Sequence, residues 1–446
     1  MKKLFGTDGI RGLAGEFPLD EKTVAVIGAS LAREFRRQLG RAARFLSGRD
    51  TRESGAAIES AFHAGARSEG AVTESAGVIT TPGVAYLTRA FDLDAGVVIS
   101  ASHNPYQDNG IKVFLPSGRK MDEAAERRIE QDIYAGEVAD VTSASVADTR
   151  GPEFCQAYLD HLRSEANGFS AAGTKIVIDC ANGAASHLAP GLLESLGADV
   201  IAIHREPDGR NINENCGSTH IEDLLARVKA EKADMGIAFD GDADRALFAD
   251  ENGNLVDGDA TLWIMSRYLK SHGKLANSTV IATVMSNIGL EIALRSKGIE
   301  LVRTDVGDKY VLDKLIETGG EIGGEQSGHI IFPQLSLVGD GMMTSLLLLR
   351  AIIEKGQTLS GAAEGFVRFP QILLNVKVRE KQPFENIPEI ASAAKTVRQQ
   401  LDGQGRLLLR YSGTENLARV MIEGKEQSSI ESQARQLIDV IKTSLG

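Results

Sequence analysis

The chain runs to 446 residues, more than one hydrophobic core supports, and predicts two to four domains. Its formal net charge of −12 excludes a general binder of nucleic acid or anionic membrane, so an anionic substrate needs a local basic cluster. No apolar run reaches membrane-spanning length, and Gly6-Thr7-Asp8-Gly9 stands where a signal peptide needs its apolar stretch. Cys155, Cys180 and Cys216 are odd in number and far apart, which fits reduced thiols in a cytoplasmic protein better than a disulfide frame or a zinc site.

The opening Phe5-Gly6-Thr7-Asp8-Gly9-Ile10-Arg11-Gly12 reads as a glycine-rich turn, or as a flexible loop that carries Arg11 to an anion. Alternation follows: helix 20–39, strand 44–46, helix 53–68, strand 71–74, helix 82–91, strand 96–99. Strands separated by helices of this length predict parallel βαβ units. The apolar run Gly96 to Ile99 ends abruptly in Ser100-Ala101-Ser102-His103-Asn104-Pro105. That places the Ser102 hydroxyl at the carboxyl end of a strand, where open α/β sheets bind ligands. Pro105 delays any helix, and Asp108-Asn109-Gly110 reads as a turn into a second apolar run, 111–115. The stretch is not Gly-x-Ser-x-Gly, which argues against an esterase elbow; alone it also fits a polar turn between strands.

Helix 123–134 precedes a polar stretch, 138–151, that reads as a linker. A second series has strand 175–179, helix 185–196, strand 199–203, a helix with Ile221, Leu224, Leu225 and Val228 on one stripe, and strand 235–239 ending at Asp240. After a short strand and turn, 247–253, a third series has helix 260–270, strand 279–284, helix 289–296, strand 299–304 and helix 309–318. Glycine-rich 319–328, strand 329–332 and a long helix to about residue 354 complete it. From Ile372 the order becomes strand, helix 387–401, strand, strand, helix 429–445. The prediction is three similar α/β domains of βαβ type with mixed sheets (1–152, 153–252, 253–368), then a smaller α+β domain (369–446).

Three further loops carry chemistry. Asp240-Gly241-Asp242-Ala243-Asp244-Arg245 offers three hard carboxylates at alternate positions, a ligand set for a divalent cation with room for a ligand oxygen. Asp240, Asp242, Asp244 and Glu251 fall at positions one, three, five and twelve of a calcium loop, but Arg245 occupies position six, where that loop needs glycine. A solvated acidic turn is the other reading. Gly323-Gly324-Glu325-Gln326-Ser327-Gly328-His329 sets acceptors and donors between glycines, as sugar hydroxyls require, or forms a plain capping loop. Arg410-Tyr411-Ser412-Gly413-Thr414-Glu415, with Arg419 nearby, reads as a phosphate nest or as a hairpin turn.

Taken together and in this order, the four loops resemble the α-D-phosphohexomutase family over the whole chain, from Phe5 to Arg419. The resemblance implies four domains around a central cleft. It implies that Ser102 carries a phosphoryl group and that Ser102, Asp240, Asp242 and Asp244 hold one magnesium ion. It assigns the sugar to Glu325, Gln326, Ser327 and His329, and the non-reacting phosphate to Arg410, Ser412, Gly413, Thr414 and Arg419. Arg11, His103, Lys112 and Arg245 are candidates for contacting the moving phosphoryl group and for proton transfer, with Lys112 and His103 leading as general base. Gln326 resembles the glucosamine-directed branch, which supplies UDP-N-acetylglucosamine and cell-envelope synthesis; Ala243 departs from the glycine common there. Expected partners are small sugar phosphates, with a hexosamine or glucose 1,6-bisphosphate as activator and a homodimer as an option, and neither nucleic acid nor membrane.

Overall fold

The structure, a computed structural model, describes residues 3–6, 9–117, 119–136, 150–166, 168–412 and 415–446. The first sheet is built from β1 (Phe5–Gly6), β2 (Gly9–Leu13), β3 (Arg44–Arg49), β4 (Val72–Val78), β5 (Ala95–Ile99) and β6 (Asp108–Phe114). Its spatial order is β1-β2-β6-β5-β3-β4. Strands β3, β4 and β5 are parallel, while β6 runs antiparallel to β5 and to β2. The helices are α1 (Glu21–Leu39), α2 (Gly55–Ser68), α3 (Thr81–Ala90) and α4 (Glu123–Ala135). Asp20, Thr80 and Asp122 cap the N-termini of α1, α3 and α4 through side-chain oxygens, which satisfies donors that no helical carbonyl can reach.

Two expectations change here. The glycine-rich opening is an edge hairpin, because β2 finds a ladder partner in β6 more than ninety residues on. Asp108-Asn109-Gly110 belongs to that same ladder, opposite Leu13, Gly12 and Arg11, instead of forming a turn. The linker expected at 138–151 lies largely outside the described residues.

Helix α5 (Gly151–Glu165), with Pro152 in its first turn, is absent from the sequence reading, which took Gly151-Pro152 as the end of a linker. It buries Phe154, Tyr158 and Leu162. Tyr158 Oη donates to Asp340 Oδ2 at 2.8 Å. Asp340 is wholly buried and also caps the helix that follows it through Met343 N–H at 2.9 Å. Burial pushes the Asp340 pKa from 3.8 up to about 6, so the folded chain holds this proton more tightly than the unfolded chain. Its contribution to stability is complete below pH 3.8 and disappears as the pH rises through 6. Asp340→Asn keeps the cap and removes the charge. We expect it to raise stability by about 3 kcal/mol at about pH 8 and to be neutral at about pH 3.5, read as the change in Tm relative to wild type at the two pH values.

The second sheet contains β7 (Lys175–Asp179), β8 (Asp199–Ile203), β9 (Met235–Phe239), β10 (Ala246–Asp250) and β11 (Leu255–Val256), in the order β11-β10-β9-β7-β8. Strands β9, β7 and β8 are parallel, and β10 returns antiparallel to β9. Helices α6 (Ala189–Ser195) and α7 (Glu222–Glu231) accompany it. The helix expected over 185–196 breaks at Leu188 into a short 3-10 turn and α6, since Pro190 cannot donate within a continuous helix.

Next come α8 (Gly258–Ser271), β12 (Thr279–Thr283), α9 (Ile288–Ser296), β13 (Glu300–Thr304), α10 (Asp308–Thr318), β14 (Gly323–Gly324), β15 (Ile330–Ile331), α11 (Gly341–Lys355) and α12 (Leu359–Ala363). The third sheet has the order β13-β12-β14-β15. The last sheet is antiparallel, ordered β16-β18-β17, from β16 (Gln371–Lys377), β17 (Arg406–Tyr411) and β18 (Leu417–Glu423), with α13 (Pro388–Leu401) and α14 (Gln427–Leu445) packed on it.

The chain divides into two compact units, Met1–Val284 with Val302–Glu364, and Met285–Leu301 with Gly365–Gly446. Helix α9 therefore belongs with the C-terminal sheet. Asn287 Nδ2 donates to the Phe369 carbonyl at 3.0 Å, and Phe369 N–H returns to Asn287 Oδ1 at 2.9 Å. Among the described residues, no helix is long and apolar enough to cross a membrane.

Candidate active site

The Ser102 loop begins where β5, buried along its whole length, gives way to Ser100. Ser102 has φ 52°, a left-handed conformation unusual for a residue with a Cβ, and is 1% exposed. Surrounding donors fix it. Ser102 N–H donates to Ser100 Oγ at 2.9 Å. Arg52 Nη2 reaches the carbonyls of Ser102 and Asn104 at 3.1 and 2.5 Å. Asn213 Nδ2 reaches the same two carbonyls at 2.9 and 3.0 Å. Arg52 is buried and paired with buried Asp50, so this clamp is rigid. Strain held by so many bonds is the pattern of a functional loop.

The acidic loop comes from the carboxyl end of β9. Gly241 lets it approach: a Cβ there would stand 2.6 Å from the Ser102 carbonyl oxygen. Ser102 Oγ donates to Asp240 Oδ2 at 2.6 Å. Lys112 of β6, 2% exposed, sits 2.9 Å from Asp242 Oδ2 and 3.6 Å from Asp244 Oδ2. Thr81 at the start of α3 donates its hydroxyl to Asp242 Oδ2 at 2.6 Å and its N–H to the Asp242 carbonyl at 3.0 Å. Ala243 has φ 55° and is fully buried, so its methyl adds about 1 kcal/mol of strain that glycine would avoid, without touching a carboxylate's identity.

Asp240, Asp242 and Asp244 each present an oxygen within 4.8 Å of the other two. Asp242 Oδ1 and Asp244 Oδ1 are buried without a hydrogen-bond partner. Burial, then Asp244 and Asp242, push the Asp240 pKa well above the carboxylate range. Burial also opposes charge on Asp244, but Lys112 and His329 outweigh it and hold its pKa well below that range. Hard, crowded oxygens with unused lone pairs fit a divalent cation of the magnesium class. Glu251, the twelfth position of the calcium pattern, instead accepts from Ser360 N–H at 3.2 Å.

Arg245 N–H donates to Asp240 Oδ1 at 3.2 Å, and its Nε lies 3.8 Å from Asp244 Oδ1. His103 Nδ1 is 3.5 Å from Ser102 Oγ. Burial, followed by the charges of Arg245 and Arg11, pushes the His103 pKa down to about 4, leaving a neutral ring at pH 7. Arg11 stands on β2 opposite Gly110. The structure thus gathers Ser102, His103, Lys112, Arg245 and the three aspartates, with Arg11 near enough to act on His103. Sequence reasoning missed Arg52, Thr81 and Asn213. Their partners lie 50 to 161 positions away, and a lone arginine, threonine or asparagine in a turn carries no local sign of that.

The glycine-rich loop 323–329 starts as β14 and turns against the start of α8. A Cβ at Gly258 would lie 2.0 Å from the Glu325 carbonyl, and Gly258 N–H donates to the Gln326 carbonyl at 3.0 Å. Glu325 Oε1 accepts from Gly307 N–H at 3.1 Å, and Ser327 Oγ lies 3.4 Å from Glu325 Oε2. Gln326 Nε2 is buried without a partner. His329 Nε2 lies 3.0 Å from the Gly339 nitrogen, and Nδ1 faces Asp244 at 3.7 Å. Burial lowers the His329 pKa, yet Asp244 and Asp308 overcome it and raise the value to about 9. This loop therefore shares a neighbourhood with the acidic triad.

In the C-terminal unit, Arg410 on β17 and Arg419 on β18 are direct cross-strand neighbours. Like charges directly opposite on a sheet repel, a cost that a bridging anion offsets. Ser412 is buried, its N–H bonded to the Leu417 carbonyl at 2.8 Å and its own carbonyl to Lys381 Nζ at 2.7 Å. Gly413 and Thr414 lie outside the described residues.

An α/β scaffold that delivers a serine hydroxyl to a cage of buried carboxylates defines an enzyme of the phosphoryl-transferring class. Profiles of phosphoglucomutase/phosphomannomutase match in four consecutive blocks: alpha/beta/alpha domain I over 2–139, domain II over 156–253, domain III over 257–369, and the C-terminal domain over 373–440. The chain belongs to the phosphoglucomutase/phosphomannomutase family. It is 48% identical over 445 residues to phosphoglucosamine mutase of Solibacter usitatus, covering 100% of this chain and 99% of that protein. Its fold is similar to a phosphoglucomutase/phosphomannomutase family protein from Burkholderia thailandensis, with TM-score 0.81, 23% identity, and 100% and 98% of the two chains covered. It is also similar to N-acetylphosphoglucosamine mutase of Aspergillus fumigatus, solved with GlcNAc-6P and magnesium, with TM-score 0.66, 19% identity, and 99% and 96% covered.

Proposed function

We propose that the protein interconverts glucosamine 6-phosphate and glucosamine 1-phosphate through phospho-Ser102 and a bound glucosamine 1,6-bisphosphate. The carrying observation is Ser102 Oγ, 2.6 Å from Asp240 and held by a clamped, left-handed backbone. The sugar is inferred from the full-length likeness to a phosphoglucosamine mutase together with Gln326.

In the forward half, the P–O bond to Ser102 Oγ breaks as the sugar O1 bonds to phosphorus and surrenders its proton. The bisphosphate then turns round. Its O6–phosphorus bond breaks, the phosphoryl group returns to Ser102 Oγ, and O6 takes up a proton. Asp240, Asp242 and Asp244, with a phosphoserine oxygen, would hold one magnesium ion, which when bound supplies charge neutralisation at the moving group. Lys112 and Arg245 orient the carboxylates and steady phosphoryl oxygens. His103, neutral at pH 7, and Lys112 are the candidates for carrying the proton, and Arg11 adds charge beside them. Glu325, Gln326, Ser327 and His329 hold the sugar. Arg410, Ser412, Gly413, Thr414 and Arg419 hold the phosphate that is not reacting. The four domains 1–152, 153–252, 253–368 and 369–446 divide these tasks, and trace hexosamine or glucose 1,6-bisphosphate recharges Ser102.

Comparison of kcat/KM for glucosamine, mannose and glucose 6-phosphates tests the substrate. We expect the amino sugar to lead by at least about tenfold, the ratio that about 1.4 kcal/mol of differential binding produces. A preference for mannose or glucose 6-phosphate would make the protein a phosphomannomutase or phosphoglucomutase instead.

A further inference from the structure

We propose that Asp179, His204 and Cys216 form a second cation site, separate from the aspartate loop, for a borderline-soft divalent ion of the zinc class. Asp179 ends β7, His204 follows β8, and Cys216 precedes the short turn of helix at Gly217–Thr219. A carboxylate oxygen, a ring nitrogen and the thiol sulfur of these residues lie within 4.8 Å of one another. One oxygen, one nitrogen and one sulfur select zinc-like ions over magnesium, which the all-oxygen aspartate loop favours.

Two further observations point to a ligand. His204 Nδ1 is 3.1 Å from Asp179 Oδ2. Two ligands about 2.0–2.2 Å from a tetrahedral ion stand roughly 3.3–3.5 Å apart, so this pair needs only a small adjustment. The other ring nitrogen, Nε2, lies 3.2 Å from Asp223 Oδ2. A carboxylate on the far nitrogen is the arrangement that orients a metal-bound histidine. Asp179 is already positioned by the N–H groups of Ala181 and Gly217, both at 2.9 Å. Asp179 and Cys216 are fully buried, whereas the His204 side chain is 27% exposed and gives an ion its entry. Binding releases the thiol proton of Cys216 as the metal–sulfur bond forms.

The site adjoins the Ser102 clamp. Asn213, three residues before Cys216, bonds the Ala181 carbonyl through its N–H at 2.9 Å while its side chain holds the carbonyls of Ser102 and Asn104. The cysteine spacing hid this possibility, because the site takes only one cysteine and draws its other ligands from the ends of two parallel strands.

The test titrates the reduced full-length protein with cobalt(II), with excess magnesium present to fill the aspartate loop. We expect one equivalent to bind with a thiolate-to-cobalt charge-transfer absorption that zinc displaces. Cys216→Ser should lose that absorption, and His204→Gln and Asp223→Asn should weaken binding by about 10–100-fold with unchanged circular dichroism. The proposal is overturned if wild type shows no charge-transfer absorption, if the absorption survives in Cys216→Ser, or if neither His204→Gln nor Asp223→Asn changes the affinity. The two latter variants keep the thiol, so a Cys216→Ser protein that failed to fold would still leave a decisive result.

Discussion

Replacing Ser102 with alanine is expected to abolish isomerisation, lowering kcat by at least about 10⁴-fold, while the protein remains folded. Alanine tolerates a φ of 52° no worse than serine does, and the clamp from Arg52 and Asn213 grips only backbone carbonyls, so the loop keeps its shape. In the proposed scheme the variant loses the oxygen that accepts and returns the phosphoryl group. Intact-mass analysis after incubation with glucose 1,6-bisphosphate should find phosphate on wild type and none on the variant. Turnover retained in Ser102→Ala, or phosphate settling on another residue with activity intact, would defeat the proposed chemistry.

The second large effect concerns Lys112. Its ammonium is the cation 2.9 Å from Asp242 and 3.6 Å from Asp244 in a wholly buried site. Lys112→Met preserves much of the volume and removes the charge, leaving three buried carboxylates facing one another. Breaking a buried ion pair from one side costs about 3–5 kcal/mol, so Tm in chelator should fall by several degrees. A divalent cation in the aspartate loop supplies the missing positive charge. Magnesium should therefore raise Tm more in Lys112→Met than in wild type. Equal magnesium shifts in the two proteins would show that Lys112 and the cation do not share the carboxylates.

Much of the site is legible in the chain itself because it follows strands. Val97 to Ile99 and Gly236 to Phe239 are short apolar runs that stop at small or acidic residues, and a strand end in an α/β sheet is where chemistry collects. Local pattern therefore located Ser102 and the three aspartates before any geometry was available. It could not place Lys112 against Asp242, since that contact spans 130 residues, nor show that Thr81, Arg52 and Asn213 hold the two loops together. It read strand β2 as a turn or a flexible loop, because two glycines in five residues look like punctuation until β6 supplies the ladder.

The amino-acid sequence by itself determined the alternating elements, the serine, the acidic triad and the glycine-bounded loop at 323–329. Each is written in neighbours a few positions apart, where periodicity and backbone preference act. Tertiary structure alone decided which charges share a buried volume, why the Asp240 and Asp244 pKa values shift in opposite directions, and that α9 falls in the same compact unit as the C-terminal sheet. It also brought Asp179, His204 and Cys216 together. Those outcomes depend on desolvation and on distances between segments far apart in the chain, quantities that no local window contains.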